Sequence, residues 1–145
     1  MSQLEFHPLR VTEVSTLTDD SITVTFDVPD QLRSTFDYIP GQHVTVRAFL
    51  DDVDTRRSYS ICAPAGSGKL RVGIKKLSGG AFSSFATESL RAGDVLEVMP
   101  PVGEFTIDID PNRARKAVAI VAGSGITPVL SLIATSLELE PESSW

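Results

Sequence analysis

The pattern that most constrains the fold is an alternation of apolar and polar side chains between residue 10 and about residue 109. It is clearest where Ile22, Val24 and Phe26 take every second position, and it returns over residues 70–74. A period of two places the apolar side chains on one face, so these segments predict half-buried antiparallel strands. The same pattern predicts strands over residues 11–17, 44–49, 55–63, 95–99 and 105–109.

Short clusters of turn residues separate the predicted strands, as is typical of an all-β fold. They lie at residues 19–20, 40–41, 65–68 and 92–94. One segment breaks the alternation, because residues 82–90 carry apolar side chains at helical spacing. The sequence therefore predicts a mainly β domain, with six or seven short strands closed into a barrel and one short helix.

The character of the chain changes after a polar, basic linker at residues 111–116. Residues 117–122 form a continuous apolar run, which a parallel strand covered on both faces requires. A helix is predicted to follow, with Thr127 as its cap, Pro128 in its first turn and Pro141 at its end. This is the first strand and helix of an α/β domain, so we expect two units, residues 1–112 and 113–145. The uncovered apolar face of the helix favours self-association or a partner.

Composition excludes several classes of function. The formal net charge of −6 argues against broad binding to nucleic acid or to an anionic membrane. A single cysteine, Cys62, permits neither an internal disulfide nor a four-thiolate cluster within this sequence. Two isolated histidines make a metal site unexpected. Because no leader is recognised and the longest apolar run is too short to span a bilayer, we expect a cytoplasmic protein.

The segment Arg57-Ser58-Tyr59-Ser60 combines a cation, an aromatic ring and hydroxyl groups within one predicted strand. Arg57 and Tyr59 share a strand face, whereas Ser60 points the other way unless the strand bends. A planar guanidinium suits a diphosphate and a phenol ring suits a flavin, so the segment indicates a flavin site. Arg56, Lys75 and Lys76 are candidates for the same basic pocket. The alternative is an ordinary barrel strand with an exposed arginine and a packed tyrosine.

The predicted short helix opens on Gly79-Gly80-Ala81-Phe82-Ser83-Ser84. A helix start leaves backbone N–H groups without internal partners and carries a partial positive charge, which suits a phosphate. Ser83 adds a hydroxyl donor. In the alternative interpretation the glycines make a turn, Ser83 satisfies the helix start, and Phe82 belongs to the core.

A second loop, Gly123-Ser124-Gly125-Ile126-Thr127-Pro128, lies between the predicted strand and the predicted helix of the C-terminal unit. This position is typical of nucleotide-binding loops, but the third glycine of the dinucleotide fingerprint is absent. A plain strand-to-helix turn is the alternative.

Taken in order, these motifs resemble the ferredoxin–NADP reductase superfamily. The order runs through Arg57-Ser58-Tyr59-Ser60, Gly73-Ile74-Lys75, the loop at residues 79–83, Pro100-Pro101-Val102-Gly103-Glu104-Phe105 and the loop at residues 123–128. Pro40-Gly41-Gln42-His43 and Leu96-Glu97-Val98-Met99 are similar to the reductase subunits of phenylacetyl-CoA epoxidases. The resemblance covers essentially the whole chain.

The resemblance implies an antiparallel six-stranded Greek-key FAD-binding barrel, followed by the start of an NAD(P)-binding domain. It implies that Arg57 holds the FAD diphosphate, Tyr59 stacks on the isoalloxazine, and Ser60 approaches flavin N5. Thr127 would sit where flavin and nicotinamide meet, so Ser60 and Thr127 are the expected catalytic residues. The other implied cofactor contacts are Ser58, Gly73, Ile74, Lys75, Gly80, Ala81, Phe82 and Ser83 for FAD, and Gly123, Ser124 and Gly125 for NAD(P)H.

The resemblance also implies a path for electrons, from NAD(P)H through FAD to a [2Fe-2S] centre and then to an oxygenase in phenylacetate degradation. Members of this group usually carry the [2Fe-2S] centre in a C-terminal domain that this sequence lacks, so we expect the chain to be a fragment. Two other functions stay open: a non-catalytic barrel that serves as an interaction module, and a flavin reductase module of another electron-transfer pathway.

Overall fold

The computed structural model describes residues 5–145, which form one six-stranded antiparallel sheet and two α-helices. Short 3₁₀ turns at Asp30–Leu32 and Gly123–Gly125 complete the regular structure. In chain order the elements are β1 (His7–Thr18), β2 (Ser21–Asp27), β3 (His43–Leu50), β4 (Val53–Ser60), β5 (Leu70–Lys75), α1 (Ala81–Glu88), β6 (Val95–Val98) and α2 (Ile126–Leu139).

The sheet has the order β4-β3-β6-β1-β2-β5, so the last strand in sequence lies between β1 and β3. Such a long return connection is typical of a Greek key. The two edge strands meet at an antiparallel bridge between Ile61, just after β4, and Val72 on β5. This bridge closes the sheet, which confirms the predicted six-stranded Greek-key barrel.

The alternating residues pack the barrel interior as the sequence predicts. Ile22 faces Ile74, Val24 faces Val72, and Phe26 faces Leu70 across the β2–β5 pair. All six side chains are buried. Burial of a large apolar side chain stabilises a fold by about 1.5–3 kcal/mol, so these cross-strand pairs hold β2 and β5 in register.

Two turns show how local sequence fixes the strand connections. Asp51 and Asp52 both have positive φ, 49° and 63°, which is typical of the two-residue turn that matches strand twist between β3 and β4. Gly41 has φ of 95°, and a Cβ added there would lie 1.7 Å from the carbonyl oxygen of Phe105. Only glycine fits this second turn, because both the backbone conformation and the space exclude a side chain.

Two predicted strands are wrong. Residues 105–109 form no strand, and Phe105 is exposed on the surface. Residues 117–122 also carry no strand assignment, and Val118 and Ile120 are 85% and 95% exposed. A continuous apolar strand needs hydrogen-bonding neighbours on its edges. Among residues 5–145, the only bridge near this segment joins Lys116 to Ser144.

Helix α2 packs against the barrel through a face that combines apolar and hydroxyl side chains. Val129 and Leu132 are buried, and the Ser131 hydroxyl donates to the carbonyl of Ala63 over 2.7 Å. The backbone N–H of Ala65 donates to the hydroxyl of Thr135 over 2.9 Å. The prediction that the apolar face of this helix is uncovered is therefore wrong for Val129 and Leu132, which pack on the barrel. Leu130 and Leu137 are exposed, as predicted. No helix in the described part of the chain is both long and apolar enough to cross a bilayer.

The residues after α2 fold back onto the segment before it through one buried carboxylate. Glu140 is fully buried and accepts hydrogen bonds from Arg115, at 3.0 and 3.1 Å, and from the backbone N–H of Asp110 at 3.1 Å. The hydroxyls of Ser136 and Ser143 donate to it at 3.1 and 2.7 Å. The Trp145 indole N–H extends the cluster by donating to Ser136. No sequence pattern predicts this Glu140 cluster, since its members are scattered polar residues in the sequence.

Candidate functional site

A cleft of about 540 Å³ opens between the barrel and the start of α2. Its walls are the end of β4, the middle of β5, the turn into α1 and the loop before α2. A volume of this size is typical of cofactor sites. The lining residues are Arg57, Ser58, Tyr59, Ser60, Gly73, Lys75, Leu77, Gly80, Ser83, Gly123, Ser124 and Thr127.

Arg57 presents an exposed guanidinium to this cleft. Among the described residues no carboxylate lies within salt-bridge distance of it, and its Nη1 donates to the backbone carbonyl of Arg56. The neighbouring Arg56 pairs with Asp54, at 2.6 Å, on the opposite face of β4. A guanidinium with unused donors at the mouth of a cleft is suited to a phosphate or diphosphate.

The predicted basic pocket of four cations is therefore divided by the fold. Arg57 and Lys75 line the cleft. Arg56 is turned away, and Lys76 pairs with Glu88 on α1. Lys75 lies 3.6 Å from Asp20. Two cations at one cleft still suit an anionic ligand. The other two, Arg56 and Lys76, form salt bridges outside the cleft.

Tyr59 lies beside Arg57 on the same face of β4, with a buried aromatic residue behind it. Its ring centroid is 5.9 Å from that of Phe82, which packs edge-on against Phe85 at the same distance. Phe82 is fully buried and does not line the cleft, so it supports the tyrosine from below. Partial burial raises the pKa of the Tyr59 phenol, against a smaller opposite effect of Arg57. The neutral ring is suited to stacking on a planar ligand.

The start of α1 forms the next wall. The first helical hydrogen bond runs from the Ser84 N–H to the Gly80 carbonyl, so the N–H groups of residues 81–83 precede the helical ladder. The buried Ser83 hydroxyl accepts from the Leu77 N–H at 3.0 Å and lies 3.4 Å from the Gly80 carbonyl. Ser83 thus fixes the turn, as the alternative interpretation expected, and leaves the backbone N–H groups for a ligand.

The wall opposite Tyr59 is formed by the loop before α2. Thr127 is the second residue of the helix, and its hydroxyl donates to the carbonyl of Ser124 over 2.9 Å. The predicted cap at Thr127 is therefore wrong, because Gly125 occupies the capping position without a side-chain bond. Gly123, in the left-handed region with φ of 54°, turns the loop toward the cleft.

Ser60 lines the cleft together with Ser58 and Tyr59, although strand alternation predicts that it points away from the face of Tyr59. The reason is its place in the fold. β4 ends at Ser60, and the chain then turns so that Ile61 bridges to β5. Before that bridge β4 pairs only with β3, so its other edge is open. Side chains from both faces of β4, Ser58 and Ser60 as well as Tyr59, can therefore reach the same space.

Four predicted contacts lie outside the cleft lining: Ile74, Ala81, Phe82 and Gly125. Ile74 is buried in the barrel core and also lines an adjoining pocket of about 270 Å³, together with Leu17, Ile22 and Ile126. Sequence reasoning missed Leu77. Its signal in the sequence is an apolar side chain within a polar turn, and it is largely exposed.

Neither a metal cluster nor the single cysteine offers a second centre of chemistry among residues 5–145. Among residues 5–145, no group of three or more His, Cys, Asp or Glu side chains is arranged to hold a metal ion. Burial raises the pKa of the Cys62 thiol, which lies 3.5 Å from the carbonyl of Arg71. A protonated, half-buried thiol is a packing residue rather than a nucleophile.

A Greek-key barrel with an arginine, a supported tyrosine and a helix start around one cleft has the features that suit a flavin dinucleotide. Residues 8–107 match the oxidoreductase FAD-binding domain family, and the chain belongs to that family.

Two curated relatives extend the similarity beyond the barrel. The chain is 45% identical to one of the subunits of 1,2-phenylacetyl-CoA epoxidase from Escherichia coli, over 97% of this chain and 39% of that protein. It is 37% identical to the ferredoxin reductase component of 3-ketosteroid-9-alpha-monooxygenase from Rhodococcus rhodochrous, over 89% of this chain and 36% of that protein. The chain therefore spans less than half the length of these relatives.

A solved structure shows the same fold. The flavohem-like FAD/NAD binding domain of nitric oxide dioxygenase from Vibrio cholerae aligns with a TM-score of 0.77 at 20% identity. The alignment covers 92% of this chain and 58% of that domain. An alignment of this extent reaches beyond the residues of the barrel.

Proposed function

We propose that the cleft binds FAD and that the chain is the FAD-binding part of an NAD(P)H-dependent reductase serving an oxygenase. The observation that carries the proposal is the meeting of Arg57, Tyr59, the α1 start and Thr127 around a single space. When bound, FAD accepts a hydride from NAD(P)H and passes single electrons onward. The residues of this chain bind the cofactor, orient it and define its surroundings.

The anionic part of FAD fits the region between Arg57 and α1. Arg57 offers a fork of N–H donors, and the backbone N–H groups of residues 81–83 offer more at the positive end of a helix. The turn that presents these N–H groups needs glycine at residue 80, since a Cβ there would lie 2.5 Å from the Ser83 hydroxyl oxygen. A diphosphate would be held by both groups of donors, whereas a ligand without phosphate would use neither.

The flavin ring fits against Tyr59, whose plane is held by Phe82. We assign Ser60 and Thr127 to the reacting edge of the flavin, because both line the same cleft as Tyr59. The loop at residues 123–125 then forms the approach for NAD(P)H. Gly73 and Lys75 on β5 form the remaining wall.

The acceptor we propose is a [2Fe-2S] centre followed by an oxygenase, in phenylacetate degradation. The support is the similarity to the Escherichia coli epoxidase and to the Rhodococcus reductase component. One cysteine cannot ligate the cluster, so another segment or protein supplies it. We place this activity in the cytoplasm.

The test is a titration of the purified chain with FAD, followed by equilibrium dialysis and visible absorbance. We expect saturable binding, and we expect Arg57→Ala to weaken FAD by about 10- to 100-fold, as the loss of a charge-assisted contact implies. Riboflavin, which lacks phosphate, is expected to lose little affinity in the same variant.

Arg56→Ala is the matched control, because this neighbouring arginine pairs with Asp54 on the outer face. We expect it to bind FAD within about threefold of the unchanged chain. A chain that takes up no FAD, or an Arg57 variant that loses FAD and riboflavin equally, contradicts the proposal.

The second candidate is a flavin reductase module that serves a different acceptor. The Vibrio cholerae structure favours it, since the same fold occurs in a nitric oxide dioxygenase. Both candidates bind FAD, so they are separated by the acceptor that the reduced protein donates to. A barrel that serves only as an interaction module binds no flavin and is separated by the titration.

A further inference from the structure

Gly73 lies at the centre of β5, where a glycine weakens a strand unless another group needs the space. A Cβ added at Gly73 would lie 2.7 Å from Cγ2 of Thr127, well inside ordinary contact distance. The Thr127 Cβ is the next nearest atom, at 4.0 Å. One methyl group of the helix therefore occupies the place of the absent side chain.

Thr127 cannot readily turn this methyl group aside. Its hydroxyl donates to the Ser124 carbonyl at 2.9 Å, and this bond holds the branched side chain in one rotamer. With the hydroxyl directed back to the loop, Cγ2 is directed to β5.

The rest of α2 is also fixed to the barrel along the same face. Ser131 and Thr135 follow Thr127 at intervals of four residues, and both hydrogen-bond to the loop at residues 63–65. Leu132 lies close to the turn at Gly41. A side chain at position 73 would therefore tilt the start of the helix away from β5 and carry the loop at residues 123–124 with it.

We propose that Gly73 is a positioning residue that seats the Thr127 methyl group and thereby sets the width of the flavin cleft. Gly73, Ser124 and Thr127 all line that cleft, so a change in their separation changes the space around the cofactor. The inference rests on the proposed function and deepens it. Backbone contact with FAD does not by itself require a glycine at residue 73, whereas seating the Thr127 methyl group does.

The experiment compares three single variants, Gly73→Ala, Thr127→Ser and Thr127→Val. It also includes the two double variants that combine Gly73→Ala with each Thr127 substitution. Serine removes the methyl group and keeps the hydroxyl, whereas valine keeps the methyl group and removes the hydroxyl. For each protein we measure the FAD dissociation constant, the visible spectrum of the bound flavin and the urea midpoint without FAD.

We expect Gly73→Ala to weaken FAD by about 10- to 100-fold, as overpacking of this size implies, and to shift the flavin absorption bands. When Thr127→Ser is added to Gly73→Ala, the FAD dissociation constant of the double variant is expected to lie within about threefold of that of Thr127→Ser alone. Thr127→Val is expected not to restore FAD binding. In the absence of a clash, alanine would stabilise a strand relative to glycine. A loss of FAD affinity in Gly73→Ala therefore indicates the clash with the Thr127 methyl group.

The inference is overturned if Gly73→Ala binds FAD as the unchanged chain does, or if the serine and valine partners behave alike. Failure of the proposed function is a different result. In that case the unchanged chain binds no FAD, and the urea midpoints alone decide whether Gly73 seats the methyl group.

Discussion

Ser83 shows why the role of a single residue is hard to assign from sequence. Its motif suggests a phosphate donor, but its hydroxyl is buried and accepts the N–H of Leu77. Arg56 and Arg57 show the same difficulty, because Arg56 forms a salt bridge with Asp54 whereas Arg57 forms none within the described residues. Alternation along β4 predicts which face each arginine takes, but it does not predict which one finds a carboxylate.

We predict that Ser83→Ala lowers the free energy of unfolding by about 1 kcal/mol, the usual value of a lost internal hydrogen bond. The Leu77 N–H would lose its acceptor, and the turn into α1 would loosen. Urea unfolding monitored by circular dichroism measures the change. Ser84→Ala is the control, because the Ser84 side chain makes no hydrogen bond within the described structure and shares the same helix turn. Equal stabilities of the two variants would exclude the proposed role of Ser83.

At the scale of elements, alternation predicts the strands of the barrel but fails at residues 105–109. The continuous apolar run fails in the same way at residues 117–122, because both segments lack strand partners. β2 and β5 form because their apolar residues face each other inside the barrel. Residues 105–109 also alternate, but Phe105 is exposed and its carbonyl packs against the Gly41 turn. Alternation predicts which face is apolar. It does not predict whether a neighbouring strand is present to accept the hydrogen bonds.

The Glu140 cluster makes the attachment of the C-terminal segment depend on pH. Hydrogen bonds from Arg115, above all, hold the pKa of Glu140 well below its ordinary value of 4.5, although burial opposes the shift. A carboxyl group with a lowered pKa in the folded state stabilises the fold above its unfolded pKa. That contribution falls as the pH drops below about 4.5 toward the folded pKa.

We therefore predict that the Tm difference between the unchanged chain and Glu140→Gln is largest near neutral pH. It is expected to narrow steadily as the pH falls below about 4.5. Scanning calorimetry across this range measures it. Glu142→Gln is the control, since Glu142 is exposed and forms no salt bridge in the described residues. A Tm difference for Glu140→Gln that stays constant with pH would contradict the prediction.

At the scale of the whole molecule, the sequence predicts the barrel and most of the cleft. Thr127 is distant in sequence from Arg57 and Tyr59, and the order of their motifs indicates that they meet. The Glu140 cluster and the seat of Thr127 on Gly73 could not be predicted, because each depends on the angle at which α2 meets the barrel. That angle is set by long-range contacts rather than by any local pattern.

We predict that the chain alone oxidises NADH or NADPH at a negligible rate with a soluble electron acceptor. The apolar residues 117–122 lack neighbouring strands in the described structure, and the chain spans less than half of its curated relatives. FAD binding should nevertheless persist, since the cleft lies on the barrel. Steady-state absorbance at the nicotinamide band measures the rate, and sustained turnover would contradict the prediction.

The bond between the Trp145 indole and Ser136 also has an optical consequence. Trp145 is the only tryptophan in the sequence, and it hydrogen-bonds to Ser136 of the Glu140 cluster and does not line the cleft. Its intrinsic fluorescence therefore reports one event, the release of the C-terminal segment from the barrel. An emission shift that precedes the loss of circular dichroism would distinguish undocking of that segment from unfolding of the sheet.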